Sequence, residues 1–270
     1  MVRGLYTSAS GALVAQAQVD NIANTLANVN TSGFKQQLLQ VQSAPSFNIF
    51  RVQTDPGQSP NAPLPGVPVA QYVGVLGTGS QVRDTPTDFQ EGAMQSTGNA
   101  LDVAISGNDA AFFTVQTANG VRYTRNGEFV RNAAGILTTQ DGSPVLGTNG
   151  QSIQLGSQGD ISIANDGTIT QRVNNANINV GQLQITQFNS LLNLRPEGAN
   201  NYVPSGNAQP TAAGSYSIQQ GFLEKSNGNV VRSMVDLITA ERWFDANEKS
   251  IKTQDDATNT AITQVARPQQ

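Results

Sequence analysis

The 270-residue chain contains no histidine and no cysteine. Without imidazole there is no histidine base and no histidine metal ligand. Without thiols there is no cysteine nucleophile, disulfide, zinc finger or iron–sulfur cluster. Charge is also scarce: Lys and Arg number 15, Asp and Glu 19, and together they are 13% of the residues, against roughly 25% in a typical soluble protein. No basic cluster offers a phosphate-binding surface, so nucleic acid is not an expected partner. Polarity comes instead from 26 Asn and 28 Gln. The cysteine-free composition suits a chain that is unfolded for export and reassembled outside the cytoplasm, and 37% apolar residues suffice for a core.

No run approaches the ~20 apolar residues of a membrane span. Arg3, the stretch Gly4 to Val14 and the triplet Ala15-Gln16-Ala17 imitate a secretory signal poorly, because Tyr6, Thr7, Ser8 and Ser10 interrupt the apolar region.

Both ends read as helices. From Leu5 to Val29 there is no proline, and Leu5, Ala9, Ala12, Val19, Ala23 and Leu26 recur four and three apart, with Leu13, Val14 and Ile22 widening the stripe. Asp20 is the single charge between Gly4 and Val29, whereas a solvated helix carries more ions on its outer face. The stretch from Val230 to Val265 has a similar stripe through Val230, Met234, Leu237, Phe244, Ile251 and Ile262, flanked by Ile238 and Trp243, but its opposite face is charged. Two readings stand: an ordinary intrachain bundle, or a pair that also buries faces against other subunits. With Gly11 and many polar residues, the first helix is marginal by itself, so both ends are expected to order on assembly.

The middle reads as extended chain, strands and turns. Six of the twelve prolines lie between Ala44 and Ala70, which excludes helix and predicts an extended connector; aromatic or basic flanks for a proline-rich ligand are lacking. Asn119-Gly120, Asn126-Gly127, Asp141-Gly142, Asn149-Gly150 and Asp166-Gly167 then predict tight turns with positive φ. Between them 101–105, 112–115, 121–124, 152–155, 161–163 and 183–188 predict short strands of an antiparallel domain. The expected plan is a helix over 1–32, an extended proline-rich connector and β connector region over 33–97, a β domain over 98–216, a return segment over 217–229 and a helix over 230–266.

Catalytic constellations are absent from the pattern. Asp255, Asp256 and Glu241 sit among Arg and Lys on a helix, and read as a solvated face. Lys35, Lys225, Lys249 and Lys252 lie in no Ser–Lys motif. Gly77-Thr78-Gly79 lacks the rest of a dinucleotide fingerprint, and no run supplies calcium-loop carboxylates. Asn30-Thr31-Ser32 fits a glycosylation sequon that is short enough to arise by chance. No cofactor, metal or catalytic residue is expected.

The segment Asn24-Thr25-Leu26-Ala27-Asn28-Val29-Asn30-Thr31-Ser32-Gly33-Phe34-Lys35 resembles the N-terminal signature of bacterial flagellar rod and hook proteins, with Asn24, Ala27, Asn28, Asn30, Thr31, Gly33, Phe34 and Lys35 carrying the pattern. Further likeness runs through Leu101 to Gly107, Tyr123 to Phe129, Asp166 to Ile169 and Gln220 to Asn227. Gly228 stands where the family commonly has Val. The resemblance implies a basal-body rod protein, proximal or distal, of α+β fold: long terminal helices pair as a coiled-coil-like region (the family's D0) around an inserted antiparallel β domain. It further implies export through the flagellar type III apparatus without a cleaved signal, residence in the basal body across the periplasm, and helical self-association into a hollow shaft joined to other rod and hook proteins. The assembly interface is expected at Leu5, Leu13, Val19, Ile22, Leu26, Val29, Phe34, Met234, Leu237, Ile238, Trp243, Phe244 and Ile251. Gly33 is expected to end the first helix, since glycine tolerates left-handed geometry. The alternatives are a hook or hook-like axial protein, a secreted β-rich adhesin or phage-tail protein, and a carboxylate-based hydrolase.

Overall fold

The computed structural model describes residues 2–53, 69–156, 159–173 and 176–265. The chain divides into two compact units, one of Met1–Ile22, Leu39–Thr85 and Val235–Gln270, the other of Ala23–Leu38 and Pro86–Met234. The fold is α+β, with two helices and many antiparallel strands. Helix α1 covers Val2–Ala27 and α2 covers Val230–Val265, so each begins or ends in the second unit while most of its length lies in the first.

In the first unit α1 packs on α2. Ser8 Oγ lies 3.0 Å from Ser250 Oγ, and Gly4 and Gly11 abut the side chains of Gln254 and Asn247. Steps of four and three on α1 match equal steps backwards on α2, so the helices are antiparallel. Ala15 and Ala240 are buried small residues on the same two helices.

The connector region, read as extended and β segments, contains strands. β1 (Gln40–Ser43) and β2 (Phe47–Gln53) run out, and β3 (Val69–Leu76) and β4 (Ser80–Asp84) run back. β2 pairs with β3 and β1 with β4, all antiparallel. Pro45, which has no N–H for a ladder, falls in the gap between β1 and β2. Its carbonyl accepts a hydrogen bond from Thr78 Oγ1 at 2.6 Å. Pro56, Pro60, Pro63, Pro65 and Pro68 lie outside the described residues. Gly79 shows why glycine is needed in Gly77-Thr78-Gly79: its φ is 126°, a Cβ would run into Ser10 Oγ of α1, and that hydroxyl accepts from Ser80 N–H at 3.2 Å.

The second unit is the β-rich one. Its strands are β5 (Met94–Ser96), β6 (Val103–Ser106), β7 (Ala111–Thr117), β8 (Gly120–Thr124) and β9 (Phe129–Arg131). They continue as β10 (Leu137–Thr139), β11 (Asp160–Ile163), β12 (Thr168–Val173), β13 (Ala176–Gln182) and β14 (Ile185–Phe188). The last are β15 (Leu194–Pro196), β16 (Asn201–Pro204), β17 (Pro210–Ala212), β18 (Ser217–Gln220) and β19 (Phe222–Glu224). A six-stranded sheet runs β15-β16-β8-β7-β14-β17, a meander joins β11-β12-β13, and β6-β18, β5-β19 and β9-β10 are two-stranded.

The strand β7 shows how the core is divided. Alternate side chains point to opposite faces, so Ala111, Phe113 and Val115 enter one apolar cluster with Phe129, Leu137 and Ile169. Phe112 enters another with Phe89, Tyr123, Phe188 and Tyr202. Thr114 is buried too, and its hydroxyl pairs with that of Thr186 at 2.8 Å, which removes most of the cost of burying it.

Four of the five turn glycines, Gly120, Gly142, Gly150 and Gly167, have positive φ as expected. Gly127 does not, and is required for a different reason: a Cβ there would collide with the Val103 carbonyl, while Val103 N–H donates to the Gly127 carbonyl at 3.0 Å. The expected strand at 152–155 makes only isolated bridges, Leu146 with Ser152 and Ile136 with Gln154. Asn229 caps α2, its Oδ1 accepting from Arg232 N–H at 3.0 Å.

Candidate functional site

The family-signature residues form a tight turn at the end of α1. The helix stops at Ala27 rather than near Gly33. Asn28 carries the chain out: its Nδ2 donates to the Asn24 carbonyl at 2.9 Å and to Asn24 Oδ1 at 2.8 Å. Its carbonyl accepts from Thr31 N–H at 3.1 Å. Gly33 follows at φ 68°, and a Cβ there would lie 2.5 Å from Asn126 N. Glycine is thus demanded twice, by conformation and by close backbone approach. Its N–H donates to the Glu224 carbonyl at 2.8 Å, tying the turn to β19.

Lys35 then enters the interior of the second unit. Its ammonium donates to Glu224 Oε1 at 2.6 Å and to the Gln90 carbonyl at 2.5 Å, with both charged side chains fully buried. Arg125 donates to Glu224 Oε2 at 3.4 Å, to the Ile105 carbonyl at 3.2 Å and to the Asn108 carbonyl at 2.5 Å, and its guanidinium lies 5.5 Å from the Phe112 ring centroid. Gly92 N–H completes the acceptors of Glu224 at 2.9 Å. Burial pulls both cations below their ordinary pKa values, and the neighbouring Glu224 carboxylate offsets part of that shift. Burial likewise holds the Tyr202 hydroxyl well above its ordinary value. Two cations share one carboxylate and donate further to carbonyls, while Arg125 Nε is buried without a hydrogen-bond partner, so the group forms a structural clasp. Sequence reasoning placed Arg125 and Glu224 only inside quoted motifs and missed the cluster. The available signal was a charged residue inside β-like segments of an ion-poor chain.

A cavity of about 360 Å³ beside the turn is lined by Asn24, Asn28, Phe34, Lys35, Asn200 and Tyr202 among others. The turn after β15 that borders it holds Ala199 and Asn200 at φ 47° and 57°, and Asn200 Nδ2 donates to the Ser32 carbonyl at 3.1 Å.

The side chains expected to assemble lie differently. In the first unit Leu5, Val19, Ile22, Leu237, Phe244 and Ile251 are half-buried, while Leu13 is 73% exposed, Trp243 55% and Ile238 51%. In the second unit Leu26, Val29 and Phe34 are half-buried and Met234 is exposed. Tyr6, Val231 and Val235 are further exposed large apolar residues of the helices, outside the expected set. Among the described residues no helix is long and apolar enough to cross a membrane.

Helices at both ends, an inserted β unit and a signature turn are the design of bacterial flagellar axial proteins. Residues 104–171 match the family described as "Flagellar hook protein FlgE/F/G D1 domain", and residues 219–264 match "Flagellar basal body rod FlgEFG protein C-terminal". The chain is 34% identical to the flagellar basal-body rod protein FlgG of Bacillus subtilis, over 95% of this chain and 96% of that one. It is 32% identical to FlgG of Borreliella burgdorferi, over 94% and 96%, and 30% identical to the rod protein FlgF of Caulobacter vibrioides, over 99% of both. The chain belongs to the flagellar basal-body rod protein family, a family of structural proteins.

Proposed function

We propose that the chain is a structural subunit of the bacterial flagellar basal-body rod, which polymerises helically into a hollow drive shaft carrying torque from motor to hook. The observation that carries this reading is the apolar exterior of the terminal helices: Leu13, Ile238 and Trp243 stand in solvent in the free chain. Covering a side chain of this size is worth about 1.5–3 kcal/mol, so several per subunit give a strong drive to associate. A helical polymer needs heterologous contacts that do not close, and the nearly ion-free α1 suits burial among neighbouring copies. The charged face of α2 then meets a hydrated space such as the export channel.

In this reading the helices form the coiled-coil-like D0 region and the residues expected to assemble lie at subunit contacts. Partners are further copies, other rod and hook proteins, and the type III export apparatus that delivers the chain without a cleaved signal to the envelope-spanning basal body. Leu13→Asp tests it, because an exposed position leaves the free chain's fold intact. The expected result is a normally folded monomer by circular dichroism that neither assembles nor restores motility; rods of normal length would overturn the reading.

A further inference from the structure

The seam between α1 and α2 is unusual in what fills it. Coiled-coil seams are ordinarily built of large apolar side chains. Here two glycines face two amides. A Cβ on Gly4 would lie 2.5 Å from Gln254 Oε1, and one on Gly11 would lie 2.8 Å from Asn247 Oδ1. Gly4 and Gly11 are seven residues apart, as are Asn247 and Gln254, so each amide is seated in a glycine notch of the facing helix one heptad from the other.

Between the two notches Ser8 meets Ser250. Gln254 Nε2 donates to Ser250 Oγ at 3.3 Å, and Asn247 Nδ2 is held by its own helix, donating to the Trp243 carbonyl at 2.8 Å. Gln254 Oε1 is buried without a hydrogen-bond partner. A buried amide left partly unsatisfied lowers stability, and a polar residue in a helix seam is tolerated where it specifies register.

We propose that Asn247 and Gln254 are positioning residues that set the register of the two terminal helices by seating in the notches at Gly11 and Gly4. A slip of one heptad, about 10 Å, leaves one amide without a notch, facing a side chain instead. The inference rests on the helix pairing and not on the polymer, and it is read on the free chain, so a failure to form rods leaves it standing.

The chain has no cysteine, so engineered disulfides report register without background. Ser8→Cys with Ser250→Cys traps the observed register, and Ser8→Cys with Ala257→Cys traps the one-heptad slip. In the parent chain the first pair is expected to give at least tenfold more intrachain disulfide than the second. Gly4→Ala with Gly11→Ala fills the notches while improving helix propensity, and should cut that preference below threefold. Adding Asn247→Ala and Gln254→Ala relieves the clash, so disulfides form efficiently again but in both registers. A tenfold preference retained in the double-alanine chain, or regained in the quadruple one, would overturn the assignment. So would loss of both disulfides in the quadruple chain, or covalent dimers in place of the internal link in the parent.

Discussion

The two units solve the problem of an ion-poor chain in opposite ways. The β-rich unit is self-sufficient: Phe112, Phe113, Phe129 and Leu137 are wholly enclosed, and its fully buried Lys35 and Arg125 are paired with Glu224. The helix-and-ribbon unit leaves its largest apolar side chains outside. Leu13 and Trp243 on the helices are exposed, as are Phe47, Phe50 and Tyr72 on the ribbon, where Phe50 and Tyr72 cover each other edge to face at 5.8 Å. Under the proposed function, stability and association fall to separate parts of one chain, so substitutions in the two units should fail in separate assays.

The strongest way to break the comparison is at the clasp. Glu224→Ala removes the shared carboxylate and leaves two buried cations without their counter-ion, which costs about 3–5 kcal/mol, a large share of the roughly 5–15 kcal/mol that holds an ordinary domain together. The expected outcome is loss of the β unit's cooperative thermal transition, in contrast to Leu13→Asp, which spares it. A smaller effect sharpens the same point. Thr186→Val strands the buried Thr114 hydroxyl and should cost about 1–3 kcal/mol in chemical denaturation, whereas Thr114→Val with Thr186→Val should recover most of that loss, because both polar groups are then gone.

The smallest effect is at the surface. Glu197 is held below its ordinary pKa chiefly by the hydrogen bond from Arg122, and Asp166 chiefly by the backbone N–H of Thr168. A carboxylate with a depressed folded pKa contributes stability that is present above its unfolded pKa and is lost as pH falls through the folded value. Amide-exchange protection around the Asp166 turn and the β15–β16 hairpin should therefore fall only below the usual carboxylate range.

Much of this architecture is legible before folding. The start of α2 at Val230 follows from periodicity, and the Asn and Asp before turn glycines mark hairpins, because these signals are local. Gly33 and Gly127 show where local reading stops: both look like turn residues, but their neighbours Asn126 and Val103 are distant in sequence and supply the reason for glycine. The β character of the connector region is legible, but its pairing, β2 with β3 and β1 with β4, is not, because it joins residues far apart along the chain. The clasp was hidden because Lys35, Arg125 and Glu224 are spread along the chain, and nothing in their spacing predicts that they meet.

The residues proposed to assemble divide along the same line. Hydrophobic periodicity picked out the large residues of the helices, since period and size are properties of sequence. Which face of α1 meets α2 was decided by the tertiary structure, and it is the face of Gly4, Ser8 and Gly11, because two helices approach closest where side chains are smallest. The sequence by itself determined the helices, the turns, the shortage of ions and the family likeness, all of which are set by residue type and short-range spacing. Only the fold decided which charges are buried together and which apolar side chains remain outside, because those depend on contacts between residues far apart in the chain.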